Sequence, residues 1–246
     1  MGYHESLTEG RNAVLEAFRS GKTVDRLFVL DGCQDGPVKT ILREAKKQDT
    51  MVQYVKKERL DQLSETKNHQ GVIAYCAACE YAEVSDILEN AKKKGEAPFI
   101  VLLDGIEDPH NLGAIIRTAN QAGAHGVIIP KRRAVGLTAT VARTSAGAVN
   151  YTPVAKVTNL VTVMEDLKKE GMWFVCADMD GEEMYSLNLK GPIGLVIGNE
   201  GEGVPRLVKE HCVMVASIPM KGDIDSLNAS VAMGVLAYEI VRQRRF

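Results

Sequence analysis

From Phe99 onward, short and nearly unbroken apolar runs alternate with stretches whose apolar residues recur at helical spacing. The runs are Phe99–Leu103, Gly126–Ile129, Trp173–Ala177, Ile193–Ile197 and Val213–Ile218. Apolar runs without polar alternation suit strands buried on both faces. Between them the 3.6-residue rhythm predicts helices over Leu112–Ala122, Asn159–Glu170, Val204–Glu210 and Leu227–Arg242. Strands that alternate with helices imply a parallel sheet covered on both sides. The fold class expected is therefore α/β.

The N-terminal third has the same grammar on a smaller scale. Val14, Leu15, Ala17 and Phe18 mark one helix face, and Val38, Ile41, Leu42 and Ala45 a second. Arg26–Leu30, Met51–Val55 and Val72–Ala77 read as strands, and Lys56–Leu63 as a short helix. Lys92-Lys93-Lys94-Gly95-Glu96-Ala97-Pro98 then closes a further helical stretch with charge, glycine and proline, the composition of a domain seam. The expected division is a small α/β domain over 1–79, a linker over 80–98 and a larger domain over 99–246.

Composition narrows the possibilities only a little. A hydrophobic share of 45% supports an ordinary core, and a formal charge of −2 announces no nucleic-acid partner. A local basic patch would suffice for one. No apolar run reaches membrane-spanning length, and no signal peptide is recognisable, so no membrane partner is expected. Five scattered cysteines suit free thiols in a cytoplasmic protein. Cys76-Ala-Ala-Cys79 has half the spacing of a zinc site, but no second pair or suitable His follows, so no metal is expected.

Three polar, glycine-bearing loops each follow a predicted strand. The first, Asp104-Gly105-Ile106-Glu107-Asp108-Pro109, leads into a helix carrying Asn111, Gly113 and Arg117. Gly113 in a first turn is unfavourable for a helix and implies a close approach by other backbone or by a ligand. The second is Gly198-Asn199-Glu200-Gly201-Glu202-Gly203, whose G-x-x-G-x-G spacing differs from the dinucleotide G-x-G-x-x-G. Its two glutamates would repel a phosphate. The third runs from Ile218 and Pro219 to Ser230; Pro219 should end the strand, and Ser226 or Asn228 can cap the helix that follows. Taken singly, each is equally well a structural turn or a capped helix. Together they fall on one carboxyl edge of a parallel sheet, where α/β proteins bind ligands. Lys131-Arg132-Arg133 and Arg143 follow another strand on that edge, either as a solvated loop or as a phosphate-binding patch.

The three loops resemble the signature motifs of the SpoU family, also called TrmH-like or SPOUT methyltransferases. Asn111, Gly113 and Arg117 match Asn-x-Gly-x-x-x-Arg; Gly198 to Gly203 match Gly-Asn/Ser-Glu-Gly-x-Gly; Ile218 to Ser230 match Ile-Pro-Met-x-Gly…Ser-Leu-Asn-x-Ser. Gly10-Arg11-Asn12-Ala13-Val14 and His69-Gln70-Gly71-Val72-Ile73 carry a weaker resemblance to the L30e-like substrate-binding domain of the ribosomal-RNA members.

The resemblance implies a trefoil-knotted C-terminal domain, a homodimer, and transfer of a methyl group from S-adenosylmethionine to an RNA ribose 2′-oxygen, on a guanosine of 23S rRNA. Under it, Gly198, Asn199, Ile218, Met220, Leu227 and Ser230 hold the cofactor. Arg117 activates the hydroxyl, as a base or by holding the adjacent phosphate; a guanidinium with a pKa above 12 favours the electrostatic role. Asn111 would orient Arg117 or the ribose, Glu200 would fix the loop or the arginine, and Ser226 and Asn228 would contact substrate or order the pocket. Arg11, Lys131, Arg132, Arg133 and Arg143 would meet RNA, with Lys22 and Lys67 adding contacts. A tRNA 2′-O-methyltransferase, a non-catalytic RNA-binding or ribosome-assembly protein and, less well matched by its glycines, a dehydrogenase-type nucleotide binder remain alternatives.

Overall fold

The computed structural model describes residues 6–224 and 226–246. The chain divides into two compact units: residues through Glu80 together with Gly136–Ala139, and Tyr81–Val135 together with Thr140–Phe246.

The first unit holds β1 (Ser6–Glu9), α1 (Arg11–Arg19), β2 (Val24–Leu30), α2 (Gly36–Lys47), β3 (Met51–Val55), α3 (Lys57–Leu63) and β4 (Val72–Cys76). Its sheet runs β1-β4-β2-β3, with β2 parallel to β3 and antiparallel to β4. Strand alternation sends Leu27 and Val29 toward α1 and α2, where they meet Val14, Phe18, Val38 and Ile41. Phe28 and Ile73 point the other way, onto Leu60 of α3. Asp35 caps α2 by accepting from the Val38 amide at 3.1 Å, and Lys46 and Lys47 lie in its last turn, where the helix dipole favours cations.

The second unit holds α4 (Val84–Lys94), β5 (Phe99–Leu103), α5 (Pro109–Gln121), β6 (Gly126–Pro130), α6 (Ala139–Thr144), β7 (Val154–Val157), α7 (Leu160–Lys169), β8 (Trp173–Glu183), β9 (Ile193–Ile197), α8 (Arg206–Lys209), β10 (Met214–Ser217) and α9 (Ala229–Arg245). The six strands run in the order β10-β8-β9-β5-β6-β7, and every neighbouring pair is parallel. Every residue of β5, β6 and β9 is buried, as strands covered on both faces require. Parallel pairing puts the loops after β5, β6, β8, β9 and β10 on a single edge.

Several sequence expectations change. Residues 80–98 are not a free linker. The helix expected there forms as α4, but its Ile87 is fully buried in the second unit's core. The absence of a side chain at Gly126 admits Ile87, since a Cβ there would lie 2.5 Å from its Cγ1. Residues 136–139 cluster with the first unit, which no composition shift announces. β1, α6 and β7 are short and carry too little periodicity to be read. β8 runs six residues past Ala177 into Asp178–Glu183. Its polar end pairs with β10 across a register shift, and Gly181 is needed there because a Cβ would fall 2.5 Å from the Val215 carbonyl oxygen.

Candidate active site

Three of the loops on the carboxyl edge are joined at one carboxylate. Glu200 Oε1 accepts from Asn111 Nδ2 at 2.8 Å, from the Ala229 amide at 3.3 Å and from Asn228 Nδ2. Asn228 Nδ2 also donates to Asn111 Oδ1 at 3.0 Å. Residues far apart in the chain thus share a ring of hydrogen bonds, of which those to the Glu200 carboxylate are charge-assisted and stronger than neutral ones. The start of α5, the loop after β9 and the start of α9 are held together by it.

Local sequence explains how each member is presented. Asp108 caps α5 by accepting from the His110 amide at 2.8 Å, so the helix begins at Pro109 and Asn111 stands in its first turn. The close neighbour at Gly113 is the end of α6: a Cβ there would lie 2.6 Å from the side-chain Cβ of Thr144 and 3.0 Å from the Ser145 backbone nitrogen. Asn228 caps α9 with its Oδ1, accepting from the Ser230 amide at 3.0 Å and the Ser230 hydroxyl at 2.6 Å, which leaves its Nδ2 for Glu200 and Asn111.

The loop after β9 closes on itself. Asn199 N donates to the Gly203 carbonyl at 3.1 Å, and Gly203 N returns to Asn199 at 2.9 Å. The Asn199 side chain receives from Gly201 N at 2.8 Å and donates to the Gly105 carbonyl at 3.0 Å. The side chain thereby closes the loop while keeping a second amide N–H. Glycine at 198 is required, since a Cβ would sit 2.1 Å from the Gly203 carbonyl carbon and oxygen.

Beside the ring lies a cleft of about 730 Å³. Of the expected cofactor residues, Gly198, Asn199, Ile218, Met220 and Leu227 line it, as do Glu200 and Ser226. Ser230 does not line it; its hydroxyl turns back to Asn228. The cleft also takes Asp178, Asp180 and Glu183 from the polar end of β8, which sequence reasoning missed by ending that strand at Ala177. The readable signal was a run of acids directly after an apolar strand. Burial works to raise the Asp178 carboxyl, but the Lys209 ammonium at 2.8 Å and the Asp180 amide at 3.1 Å outweigh it and keep the group below its ordinary value.

Arg117 stands apart from this cluster. It lies exposed on α5, does not line the cleft, and makes no hydrogen bond or ion pair among the described residues. Of the proposed RNA contacts, Arg11 is committed elsewhere: it pairs with Asp35 at 2.5 Å and donates through Nε to the Gln70 carbonyl at 3.1 Å. Arg132 is exposed, and Arg143 is exposed with one bond to Thr140 Oγ1 at 3.1 Å. The Lys131 amide is fixed to the Val157 carbonyl at 2.8 Å. Arg133 reaches Asp104 at 3.2 Å.

The fold and site define an α/β protein with a parallel sheet whose cleft is walled by the polar end of β8 and the loops after β9 and β10, at the strand carboxyl ends. Residues 98–238 match the family model for the SpoU rRNA methylase family, and residues 7–82 match that for RNA 2′-O ribose methyltransferase substrate binding. A Bacillus subtilis protein named as a TrmH family tRNA/rRNA methyltransferase is 48% identical over 237 residues, covering 96% of this chain and 94% of its own. The SpoU methyltransferase AviRb of Streptomyces viridochromogenes, solved with AdoMet, superposes with a TM-score of 0.61 at 26% identity, over 97% of this chain and 90% of AviRb. An AdoMet-bound rRNA methyltransferase of Sinorhizobium meliloti gives 0.61 at 25% identity, over 97% and 87%. The chain belongs to the SpoU/TrmH family of RNA methyltransferases.

Proposed function

We propose that this protein transfers a methyl group from S-adenosylmethionine to the 2′-hydroxyl of a ribose in RNA, on a guanosine of 23S rRNA, in the cytoplasm. The observation that carries the reading is the Asn111–Glu200–Asn228 ring beside an acid-lined cleft. The residues fit the cofactor's chemistry. S-adenosylmethionine carries sulfonium and ammonium cations, which suit Asp178, Asp180, Glu183, Glu200 and Glu202, and its adenine suits Ile197, Ile218 and Leu227. When bound it supplies an activated methyl group. Backbone groups of Gly198, Ile218 and Leu227 would hold it, with Met220 against the apolar wall.

This chain's own residues then have to place and activate the hydroxyl. Arg117 has its donors uncommitted, so its guanidinium can take an RNA phosphate bidentately and stabilise the developing alkoxide nearby. Asn111, held by Glu200 and Asn228, would orient the ribose, with Ser226 contacting substrate at the cleft. Holding the oxygen in line with the methyl carbon is worth on the order of 7–11 kcal/mol in favourable cases.

The ribosomal target is favoured over tRNA by the substrate-binding unit at residues 7–82, read as L30e-like, and by the rRNA methyltransferase of Sinorhizobium meliloti. We assign 1–79 to RNA binding and 99–246 to methyl transfer. The reading includes a trefoil knot through the loops at 198–203 and 218–228, supported by the return of the chain from edge strand β10 to Asn111 and Glu200. It also includes a homodimer with its sites near the subunit interface, supported by Val231 and Tyr238, apolar and half exposed on α9. The test is incubation with labelled S-adenosylmethionine and RNA from a strain lacking the protein, with mapping of the labelled nucleotide. A 2′-O-methylguanosine in 23S rRNA is expected; label in tRNA alone would replace the target, and no label would refute the activity. Arg117→Ala should abolish transfer with cofactor affinity unchanged by calorimetry, and near-normal turnover would remove Arg117 from the chemistry.

A further inference from the structure

The acidic turn after β5 contains a buried charge that the methyl-transfer chemistry does not use. Asp104 is 4% exposed, yet it does not line the cleft. Its amide donates to the Ile197 carbonyl at 3.0 Å, and the next residue, Gly105, accepts from Asn199 of the cofactor loop. Asp104 therefore sits against the backbone of the cofactor loop. Burial pushes its carboxyl above the ordinary value, and the Arg133 guanidinium pulls it partly back.

Arg133 is unusual in its own right. Its φ of 55° lies in the left-handed region, which a long unbranched side chain rarely occupies and which persists only where surrounding contacts impose it. Those contacts are present. The loop is pinned at Lys131 to the Val157 carbonyl at 2.8 Å and at Val135 to the Ile106 carbonyl at 3.0 Å, with Arg133 reaching Asp104 between them. The pairing uses one nitrogen, Nη2, at 3.2 Å to Oδ1, while the Arg133 side chain is 65% exposed. A guanidinium has five N–H donors in a planar fork. Most of that fork is therefore turned to solvent while its orientation is held from below.

We propose that Asp104 is a positioning residue for the RNA substrate: it presents Arg133 in a fixed orientation beside the cofactor loop, so that an RNA phosphate meets a pre-aligned fork. The proposal rests on the reading of the 131–133 cations as an RNA contact. A free arginine loses considerable rotamer freedom when it binds. A carboxylate that has already restricted the side chain removes part of that loss and raises affinity without touching RNA. It also ties the RNA-contacting loop to the wall of the cleft through Gly105 and Asn199.

The test is a double-mutant cycle on RNA affinity in the full-length protein, using Asp104→Asn, Arg133→Ala and the pair. Asp104→Asn preserves shape and removes only the charge. It should weaken RNA binding and raise KM for RNA about five- to tenfold, with kcat and the Kd for S-adenosylmethionine unchanged. Arg133→Ala should weaken binding at least as much and reduce the slope of log Kd against log salt by about one ion. In the Arg133→Ala background, Asp104→Asn should have no further effect. Asp104→Glu, which restores the charge, should regain more than half of the lost affinity. Additive losses, or an Asp104→Asn loss shared equally by cofactor binding, would overturn the positioning role while leaving the RNA patch standing. An unchanged salt slope in Arg133→Ala would overturn both.

Discussion

Gly198→Ala tests whether the loop after β9 is as tightly closed as its hydrogen bonds imply. The added methyl would sit 2.1 Å from both the carbonyl carbon and oxygen of Gly203 and 2.3 Å from the Val204 nitrogen. All three are backbone atoms, so no side chain can swing aside. Gly203 is also held by the reciprocal pair with Asn199 at 3.1 and 2.9 Å, and relief of the clash must stretch or break it. Overpacking of this kind costs about 1–3 kcal/mol. At roughly 2–4 °C per kcal/mol for a chain of this size, the melting temperature should fall by roughly 2–12 °C.

Loss of one or both loop hydrogen bonds, at about 1 kcal/mol each, would weaken S-adenosylmethionine binding by about five- to thirtyfold, because the cleft wall would no longer be formed in advance. RNA affinity should not change. Gly201→Ala is the control: its nearest neighbour would be Asn199 Oδ1 at 3.6 Å, an ordinary contact, and it should shift stability by less than about 0.5 kcal/mol. Thermal melts and calorimetric titration of both variants decide the matter. Wild-type cofactor affinity and melting temperature in Gly198→Ala would refute the rigid-loop reasoning.

The remaining predictions concern the ring and the opposite edge of the sheet. Asn228→Ala removes both a helix cap and the donor to Glu200, so it should lose about 0.5–2 kcal/mol in denaturant melts. Asn228→Ser, which can cap but cannot bridge Glu200 and Asn111, should recover that stability without recovering the single-turnover rate; equal recovery of both would dissolve the ring's role. His125 is buried, accepts from the Phe99 amide at 2.9 Å and faces Glu96 at 3.1 Å. Burial holds its pKa below the ordinary 6.5, against the opposing pull of Glu96. The folded state therefore binds fewer protons than the unfolded one between the two values, so stability is full above pH 6.5 and falls as pH drops toward the depressed pKa. A His125→Gln variant should lose less melting temperature over that window, and parallel pH profiles would exclude His125 as the source.

The strands buried on both faces were legible because burial leaves an unbroken apolar run, as in Phe99–Leu103 and Ile193–Ile197, and the amphipathic helices because one apolar stripe repeats along each. Asn111, Glu200 and Asn228 could be marked as candidates from the sequence, since polar residues around glycine at strand ends carry local information. Their convergence on one oxygen could not. It depends on parallel strands bringing residues 111, 200 and 228 to the same edge, and no local pattern encodes a separation of that length.

The same limit separated the cations. Arg11, Arg132 and Arg133 are alike as letters, yet Arg11 is paired with Asp35, Arg132 is exposed and Arg133 stands on a buried Asp104. It also hid the acids of β8, because a strand that turns polar where it becomes a cleft wall no longer has the periodicity of a strand. Local patterns along the chain set the elements, and the loop residues named the chemistry available. The tertiary structure decided which polar groups meet, because hydrogen bonds and ion pairs act over about 3 Å, a distance that only the packed sheet brings about.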